Sequence, residues 1–210
     1  MCEKNRKILV ATTNPGKITE MRAMLGGGAD WLGLADIEPI DEIAEDGATF
    51  AENARKKALG YAEASGLWTI ADDSGLVVDA LDGAPGVKSA RFSGDKLAGD
   101  ERTLIDHRNI AKVLELLQGV PEEKRTARFV CRLCLASPGE VMIETEGTLE
   151  GIITDREIGA NGFGYDPIMF VPHLKKTVAQ LTAEQKNAIS HRGNAIRKLT
   201  PLLEELLRNS

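Results

Sequence analysis

Asp72 and Asp73 stand side by side in the stretch Ala71-Asp72-Asp73-Ser74-Gly75-Leu76. The apolar run Leu67-Trp68-Thr69-Ile70 precedes them, and Leu76-Val77-Val78 resumes the apolar pattern after them. Two carboxylates, a hydroxyl and a glycine are therefore expected at the tip of a buried strand. Charge in an apolar setting is costly unless something neutralises it. A hard divalent cation does so, and Mg²⁺ is the usual one where the other partner is a phosphate. The same residue types also suit a plain turn, so this stretch alone leaves both readings open.

A second group lies near the N-terminus. Lys7-Ile8-Leu9-Val10-Ala11-Thr12 reads as a buried strand and Thr13-Asn14-Pro15-Gly16 as a turn. From Lys17 to Leu25 the chain has helical periodicity, with Ile18, Met21 and Leu25 on one face. A strand, a tight loop and a helix N-terminus favour an anion above the strand, and Lys17 adds a full positive charge there. An ordinary strand-to-helix connection with Pro at the helix start fits equally well. It is not a Walker A loop, because the spaced first glycine is missing and Ile18 follows the lysine.

Three further groups bear on chemistry. The loop Pro39 to Gly47 carries Asp41, Glu42, Glu45 and Asp46. Most of these suit solvated surface, and one can reach a metal held at Asp73. Gly159 to Pro167 is glycine-rich and holds Phe163, Tyr165 and Asp166, in a chain whose aromatic content is only 4%. An aromatic in such a loop can stack on a flat ring or plug the space beneath the loop. Lys186, His191 and Arg192 gather positive or switchable donors in an otherwise acidic protein.

The elements that position these groups follow from periodicity. Gly26-Gly27-Gly28 ends the first helix, and Trp31 to Leu34 is a weak second strand. Thr49 to Gly66 reads as a helix with Phe50, Ala54, Ala58 and Ala62 on one face and Gly66 as its stop. Most of its other face, which carries Glu52, Asn53, Arg55, Lys56 and Lys57, is expected in solvent. Asp82 to Lys88 is a turn-rich loop, and Glu101 to Leu117 a further helix. Thr126–Ala136 and Val141–Ile153 alternate as two long strands around Ser137 to Glu140, an antiparallel hairpin. Ile168 to Val171 is another strand, and Thr182-Ala183-Glu184-Gln185 matches a capping box. That helix is expected to break near Ser190. Ile196, Leu199, Leu203 and Leu206 then mark a closing amphipathic helix. A long hairpin beside strand-loop-helix units implies an α/β fold with a mixed sheet.

The totals exclude several classes. A length of 210 residues suits one large domain or two small lobes. No apolar run approaches the roughly 20 residues a membrane helix needs. Met1 to Lys7 is charged and only a short apolar run follows, so a cytoplasmic protein is expected. The net charge of −6 argues against a nucleic-acid polymer as partner, though not against a small anion held by local cations. Cys131 and Cys134 form a C-x-x-C, but on a strand residues three apart face opposite ways and no second Cys or His pair stands nearby. They are expected to be packing residues in a reducing compartment.

Taken together, an anion-binding loop, a carboxylate corner, an aromatic loop and a basic cluster suit a nucleoside triphosphate with Mg²⁺. At this point the sequence resembles the inosine triphosphate pyrophosphatase family, from Ile8 to about Leu199. The resemblance is carried by Ala11-Thr12-Thr13-Asn14-Pro15-Gly16-Lys17, Thr49-Phe50-Ala51-Glu52-Asn53-Ala54, Ala71-Asp72-Asp73-Ser74-Gly75-Leu76, Gly83-Ala84-Pro85-Gly86, Gly162-Phe163-Gly164-Tyr165-Asp166-Pro167 and Ile189-Ser190-His191-Arg192-Gly193. Several long motifs in the right order are far more specific than any one of them. Gly26–Gly28, a loop over residues 95–108 and a few extra N-terminal residues stand outside the family's pattern.

The resemblance implies a single domain over residues 1–210, an elongated two-lobed fold with a central mixed sheet flanked by helices, an active site in the cleft between lobes, and a homodimer. It implies Mg²⁺-dependent hydrolysis of the triphosphates of inosine, deoxyinosine and xanthosine to the monophosphate and pyrophosphate, which cleanses the nucleotide pool. Thr12, Thr13, Asn14, Pro15, Gly16 and Lys17 would hold the triphosphate. Asp73 falls on the catalytic acid, Glu45 and Asp73 on the metal, and Ser74 on a substrate contact. Phe163, Gly164, Tyr165, Asp166, Lys186, His191 and Arg192 fall on nucleotide-binding positions. Donors from His191 and Arg192 would pair with the 6-oxo group of the base, Phe163 would stack on its ring and Asp166 would support the cationic donors. Two other readings are a metal-dependent phosphatase that releases orthophosphate and a silent nucleotide-binding regulator. Asp72-Asp73 lacks the one-residue gap of an aspartyl-phosphate motif, and the presence of both acids argues against a silent site.

Overall fold

A computed structural model describes residues 6–26, 28–94 and 101–209. Gly27, residues 95–100 and the first five residues, three of the places where the sequence departs from the family's pattern, lie outside the described residues. Among the described residues seven strands form one sheet in the order β2-β1-β3-β4-β5-β6-β7: β1 Lys7–Val10, β2 Asp30–Gly33, β3 Trp68–Val78, β4 Thr126–Ser137, β5 Glu140–Ile153, β6 Met169–Val171 and β7 Lys176–Thr177. β1 pairs parallel with β2 and β3, whereas β5–β6 and β6–β7 are antiparallel, so the sheet is mixed as expected. Among the described residues five α-helices accompany it: α1 Pro15–Met24, α2 Phe50–Ser65, α3 Arg102–Leu116, α4 Ala183–Ile189 and α5 His191–Arg208.

Chain contacts divide the protein into two compact units. The first comprises Met1–Asp73, Cys131–Gly147 and His191–Ser210; the second, Ser74–Val130 and Thr148–Ser190. In the first unit the strand period of two sorts side chains to two faces. Ile8, Val10, Ile70, Cys131 and Leu133 pack with Met21 of α1 and Ile196 and Leu199 of α5. Leu9, Ala11, Ala71 and Cys134 pack with Ala54, Ala58 and Ala62 of α2. The two cysteines thus lie on opposite faces, as their spacing demands. In the second unit Leu76, Val78 and Phe129 pack with Ile110 and Val113 of α3 and with Ile168 and Met169.

Local signals set most helix ends. Thr49 caps α2 with a reciprocal Glu52 bond, and Gly66 closes it at φ 69°. Thr182 and Gln185 form the same box on α4, which ends at Ile189 with extended Ser190 before α5 begins. α3 starts at Arg102, so the expected loop over residues 95–108 is already helical from there.

One expectation is overturned at the centre of the molecule. β3 does not end at the acidic pair; it runs unbroken through Asp72, Asp73, Ser74 and Gly75. The residues that favour turns stay extended because partners at both sides take up their polar groups, as follows.

Candidate active site

In the first unit, α2 gathers the acids. The Glu52 carboxylate accepts the N–H groups of Ala48 at 2.7 Å and Thr49 at 3.2 Å, tying the end of the acidic loop to the first helical turn. Asn53, only 1% exposed, accepts the Gly47 N–H at Oδ1 (2.7 Å) and donates from Nδ2 to Asp73 Oδ2 (2.9 Å). One turn on, the Lys57 ammonium donates to Glu45 Oε1 at 2.7 Å and to the Asp72 carbonyl at 2.5 Å. Asn53 and Lys57, four residues apart on one face, therefore hold Glu45 and the acidic pair together.

Asn53 and Lys57 depart from the solvent exposure expected for most of their helix face: both are buried. A signal was present. They flank Ala54 and Ala58, and a stripe of alanines lets a helix approach the sheet closely enough to bring its polar neighbours inside.

Asp72 projects to the other side of β3. Its Oδ2 accepts from Lys17 Nζ at 2.9 Å and from Arg192 Nη2 at 3.1 Å. Arg192 also donates through Nη1 to Glu20 of α1. Burial alone would raise the Asp72 carboxyl, but Lys17, Arg192 and Lys57 together hold it well below the usual carboxylate range. Asp73 behaves the other way. Burial, its largest influence, pushes the carboxyl up; Lys57, Asn53 and Lys17 resist, and the charge of Glu45 adds to the rise. For Lys57, burial lowers the ammonium but Asp72, Glu45 and Asp73 outweigh it, so the side chain stays cationic.

The first loop is largely self-satisfied. Asn14 caps α1 by accepting from Gly16 N at 3.0 Å and Lys17 N at 3.4 Å, and Asn14 N donates to Thr12 Oγ1 at 3.2 Å. Of the two readings weighed for this loop, these three bonds fit the ordinary capped connection. What the loop offers a ligand are the hydroxyls of Thr12 and exposed Thr13, and the Lys17 ammonium at 15% exposure.

Arg192 is also placed differently from the reading that it donates to a base. Its guanidinium is 1% exposed and is committed to Asp72 and Glu20. His191, buried beside it at the start of α5, has its carbonyl pressed on Gly147, where a Cβ would come within 2.1 Å.

In the second unit, Ser74 and Gly75 continue β3. A Cβ on Gly75 would lie 2.3 Å from Ser89 Oγ, and that hydroxyl accepts from Leu76 N at 2.9 Å while donating to Gly86 O at 2.6 Å. Tyr165 donates its hydroxyl to Ser89 O at 2.8 Å and is buried. Asp166, 3% exposed, accepts from Phe163 N at 2.9 Å and from Lys186 Nζ at 2.5 Å. Gly164 N donates to Asp106 Oδ2 at 2.8 Å. The Lys186 ammonium sits 4.4 Å from the centre of the half-buried Phe163 ring. Of the two aromatics, Tyr165 plugs the loop, and Phe163 stays half-buried with the Lys186 ammonium over its ring.

The expected site residues fall into two clusters. Thr12 to Lys17, Glu45, Asp73, His191 and Arg192 belong to the first unit; Ser74, Phe163, Gly164, Tyr165, Asp166 and Lys186 to the second.

For a divalent cation the donor set of the first cluster is suitable in kind. Glu45 and Asp73 offer hard oxygens and both face the Lys57 ammonium. A buried carboxyl raised by its surroundings is relieved by a neighbouring cation. Among the described residues there is no group of three or more His, Cys, Asp and Glu side chains set for a metal.

The Ham1 family model matches residues 8–202. A dITP/XTP pyrophosphatase of Desulforamulus reducens is 46% identical over 201 residues, covering 95% of this chain and 96% of its own. One from Exiguobacterium sibiricum is 48% identical over 202 residues, covering 96% and 98%. The Ham1 protein of Staphylococcus aureus superposes with a TM-score of 0.83 at 41% identity, across 95% of this chain and 99% of its own.

Proposed function

The chain belongs to the Ham1 family, and from that premise we propose that it is a nucleoside triphosphate pyrophosphohydrolase acting on the triphosphates of deoxyinosine, inosine and xanthosine. Its products are the monophosphate and pyrophosphate, and its role is to clear these nucleotides from the pool before they enter DNA or RNA. The observation that carries the reading is Asp73. It is a carboxyl raised by burial, held by Asn53 and facing Lys57 and Glu45, and it sits one residue from an acid held ionised. A carboxylate whose affinity for protons is raised above the ordinary is suited to general-base work.

In this reading a water attacks the α-phosphorus and the bond from that phosphorus to the bridging oxygen breaks, so that pyrophosphate leaves. Asp73 takes the proton of the attacking water on its carboxylate. Lys17, Thr12 and Thr13 bind phosphate oxygens, and the positive charge of Lys17 offsets the charge that grows on the leaving group. Asp72 keeps Lys17 extended over β3, and Arg192 holds Asp72 in place. Glu45 and Asp73 would hold Mg²⁺, which supplies Lewis-acid neutralisation of phosphate charge when bound.

For the base, Phe163 offers a ring to stack on and Lys186, steadied by Asp166, a donor for a 6-oxo group. Adenine presents a 6-amino group there and leaves that donor unpaired, which a site of this kind rejects by about 10⁴ or more. Gly164, Ser74 and His191 complete the nucleotide contacts. The same reading includes a homodimer in the cytoplasm, to be tested by sedimentation. No helix of the described residues is long and apolar enough to cross a membrane.

A panel of triphosphates with Mg²⁺, scored by ion chromatography, tests the function. Pyrophosphate from inosine and xanthosine substrates is the expected result. Orthophosphate as the product, or binding without turnover, overturns it.

A further inference from the structure

We propose that Asn53 is a positioning residue for the reaction: its buried carboxamide locks Asp73 and the Glu45 loop in one frame, so that the two carboxylates are offered to a single divalent cation. This rests on the roles given above to Asp73 and Glu45.

The argument is one of hydrogen-bond polarity. The Gly47 N–H can only donate, and the ionised Asp73 carboxylate can only accept. A group that bridges them must accept on one side and donate on the other, within a short side chain. Asn53 does this, with Oδ1 on Gly47 N at 2.7 Å and Nδ2 on Asp73 Oδ2 at 2.9 Å, and the two bonds fix which end of the amide is which. The frame is tight. A Cβ on Gly47 would lie 2.7 Å from Asn53 Oδ1 and 2.9 Å from the Glu52 Cβ, so only glycine lets the loop come this close. Gly47 is two residues from Glu45, and the bonds of Ala48 and Thr49 to Glu52 anchor the chain between Gly47 and α2 to the same helical turn. Asn53 itself is 1% exposed within α2, a rigid support.

The nearest replacements each fail at least one demand. Aspartate would turn an acceptor toward Asp73 and add a like charge. Glutamine carries an extra methylene where the loop leaves no space. Alanine abandons both partners.

The test compares the parent with Asn53→Ala, Asn53→Asp and Asp73→Asn. Mn²⁺ is titrated into each folded protein without nucleotide and followed by electron paramagnetic resonance; kcat and KM for deoxyinosine triphosphate are measured separately with Mg²⁺. Asn53→Ala is expected to weaken Mn²⁺ binding and lower kcat, each by about 10- to 100-fold, the range found when a group supporting a metal ligand is removed. KM should move little, because the Asn53 carboxamide is spent on Gly47 and Asp73. Parental Mn²⁺ affinity and kcat in Asn53→Ala, beside an inactive Asp73→Asn, would overturn the positioning role and leave the function standing. Parental turnover in Asp73→Asn would instead remove the reading beneath it. Should Asn53→Ala fail to fold, Asn53→Asp decides by its kcat and Mn²⁺ affinity. That variant keeps the size and the Gly47 bond but replaces the donation to Asp73 with a like charge, so a drop in kcat together with a changed Mn²⁺ affinity supports the role, and parental values of both refute it.

Discussion

Asp72 and Asp73 are consecutive residues of one strand, and their carboxyls are driven in opposite directions. Asp72 meets two cations, Lys17 at 2.9 Å and Arg192 at 3.1 Å, and is held well below the usual carboxylate range. Asp73 meets a neutral amide at 2.9 Å and is raised, chiefly by burial. The cause is the pleat: neighbours on a strand face opposite sides, so adjacent acids meet different elements. Environments that push two titratable groups apart are how one site holds both a fixed charge and a proton acceptor.

The rise of Asp73 has a consequence for stability. The native state keeps this proton to a higher pH than the unfolded chain does. That contribution is fully present below the unfolded value of about 3.9 and is lost as pH rises through the raised folded value. At neutral pH the ionised acid therefore costs stability. In EDTA, Asp73→Asn is expected to melt above the parent at pH 7, the gap closing below about pH 4. A lower melting temperature at pH 7 contradicts this. With Mg²⁺ and substrate the same variant should lose about 10²- to 10⁴-fold in kcat, the usual worth of a general base.

Arg192 is a structural partner first. Arg192→Met leaves Asp72 and Glu20 buried with a cation fewer, and removal of one partner from a buried ion pair costs about 3–5 kcal/mol. Denaturant unfolding measures this. Because the folded Asp72 value is depressed, its stabilisation is present above about pH 3.9 and fades as pH falls toward the folded value, so the loss should narrow in acid. Adding Asp72→Asn to Arg192→Met should recover part of the loss, since the residues share one network. Additive losses would show that they do not.

Base choice is expected to respond to Lys186. Lys186→Met removes the donor proposed for the 6-oxo group and the cation over Phe163. The turnover ratio of inosine to adenosine triphosphate should fall by roughly tenfold or more, in line with the loss of a buried hydrogen bond to substrate. An unchanged ratio assigns the discrimination to another residue.

Cys131 and Cys134 should be inert in the folded protein. Burial pushes both thiols up to about 12, far from the thiolate needed for attack. Iodoacetamide at pH 8, followed by peptide mass spectrometry, should leave both unmodified until denaturant is added. Rapid labelling of either under native conditions rules this out.

Much of the scaffold was legible because its signals are local. Thr49 with Glu52 and Thr182 with Gln185 declare helix starts through bonds that span one turn, and Gly66 declares a stop through a backbone conformation it adopts freely. The alternation in residues 126–153 gave the hairpin, and three-residue spacing gave the opposite faces of Cys131 and Cys134. The acids, the first loop, the aromatic loop and the basic cluster could likewise be picked out as candidates by residue type. Who meets whom was not legible. Arg192 lies 120 residues from Asp72 in sequence and 172 from Glu20, and no period or cap spans such a gap. Asn53 and Lys57 looked like solvated helix positions until α2 was laid against the sheet. The acidic pair looked like a strand end until Lys17, Arg192 and Asn53 were there to take its charge and hydrogen bonds. Backbone preference is set by neighbours along the chain. The fate of a buried charge is set by what the fold brings within a few ångströms, and only the tertiary structure decides that.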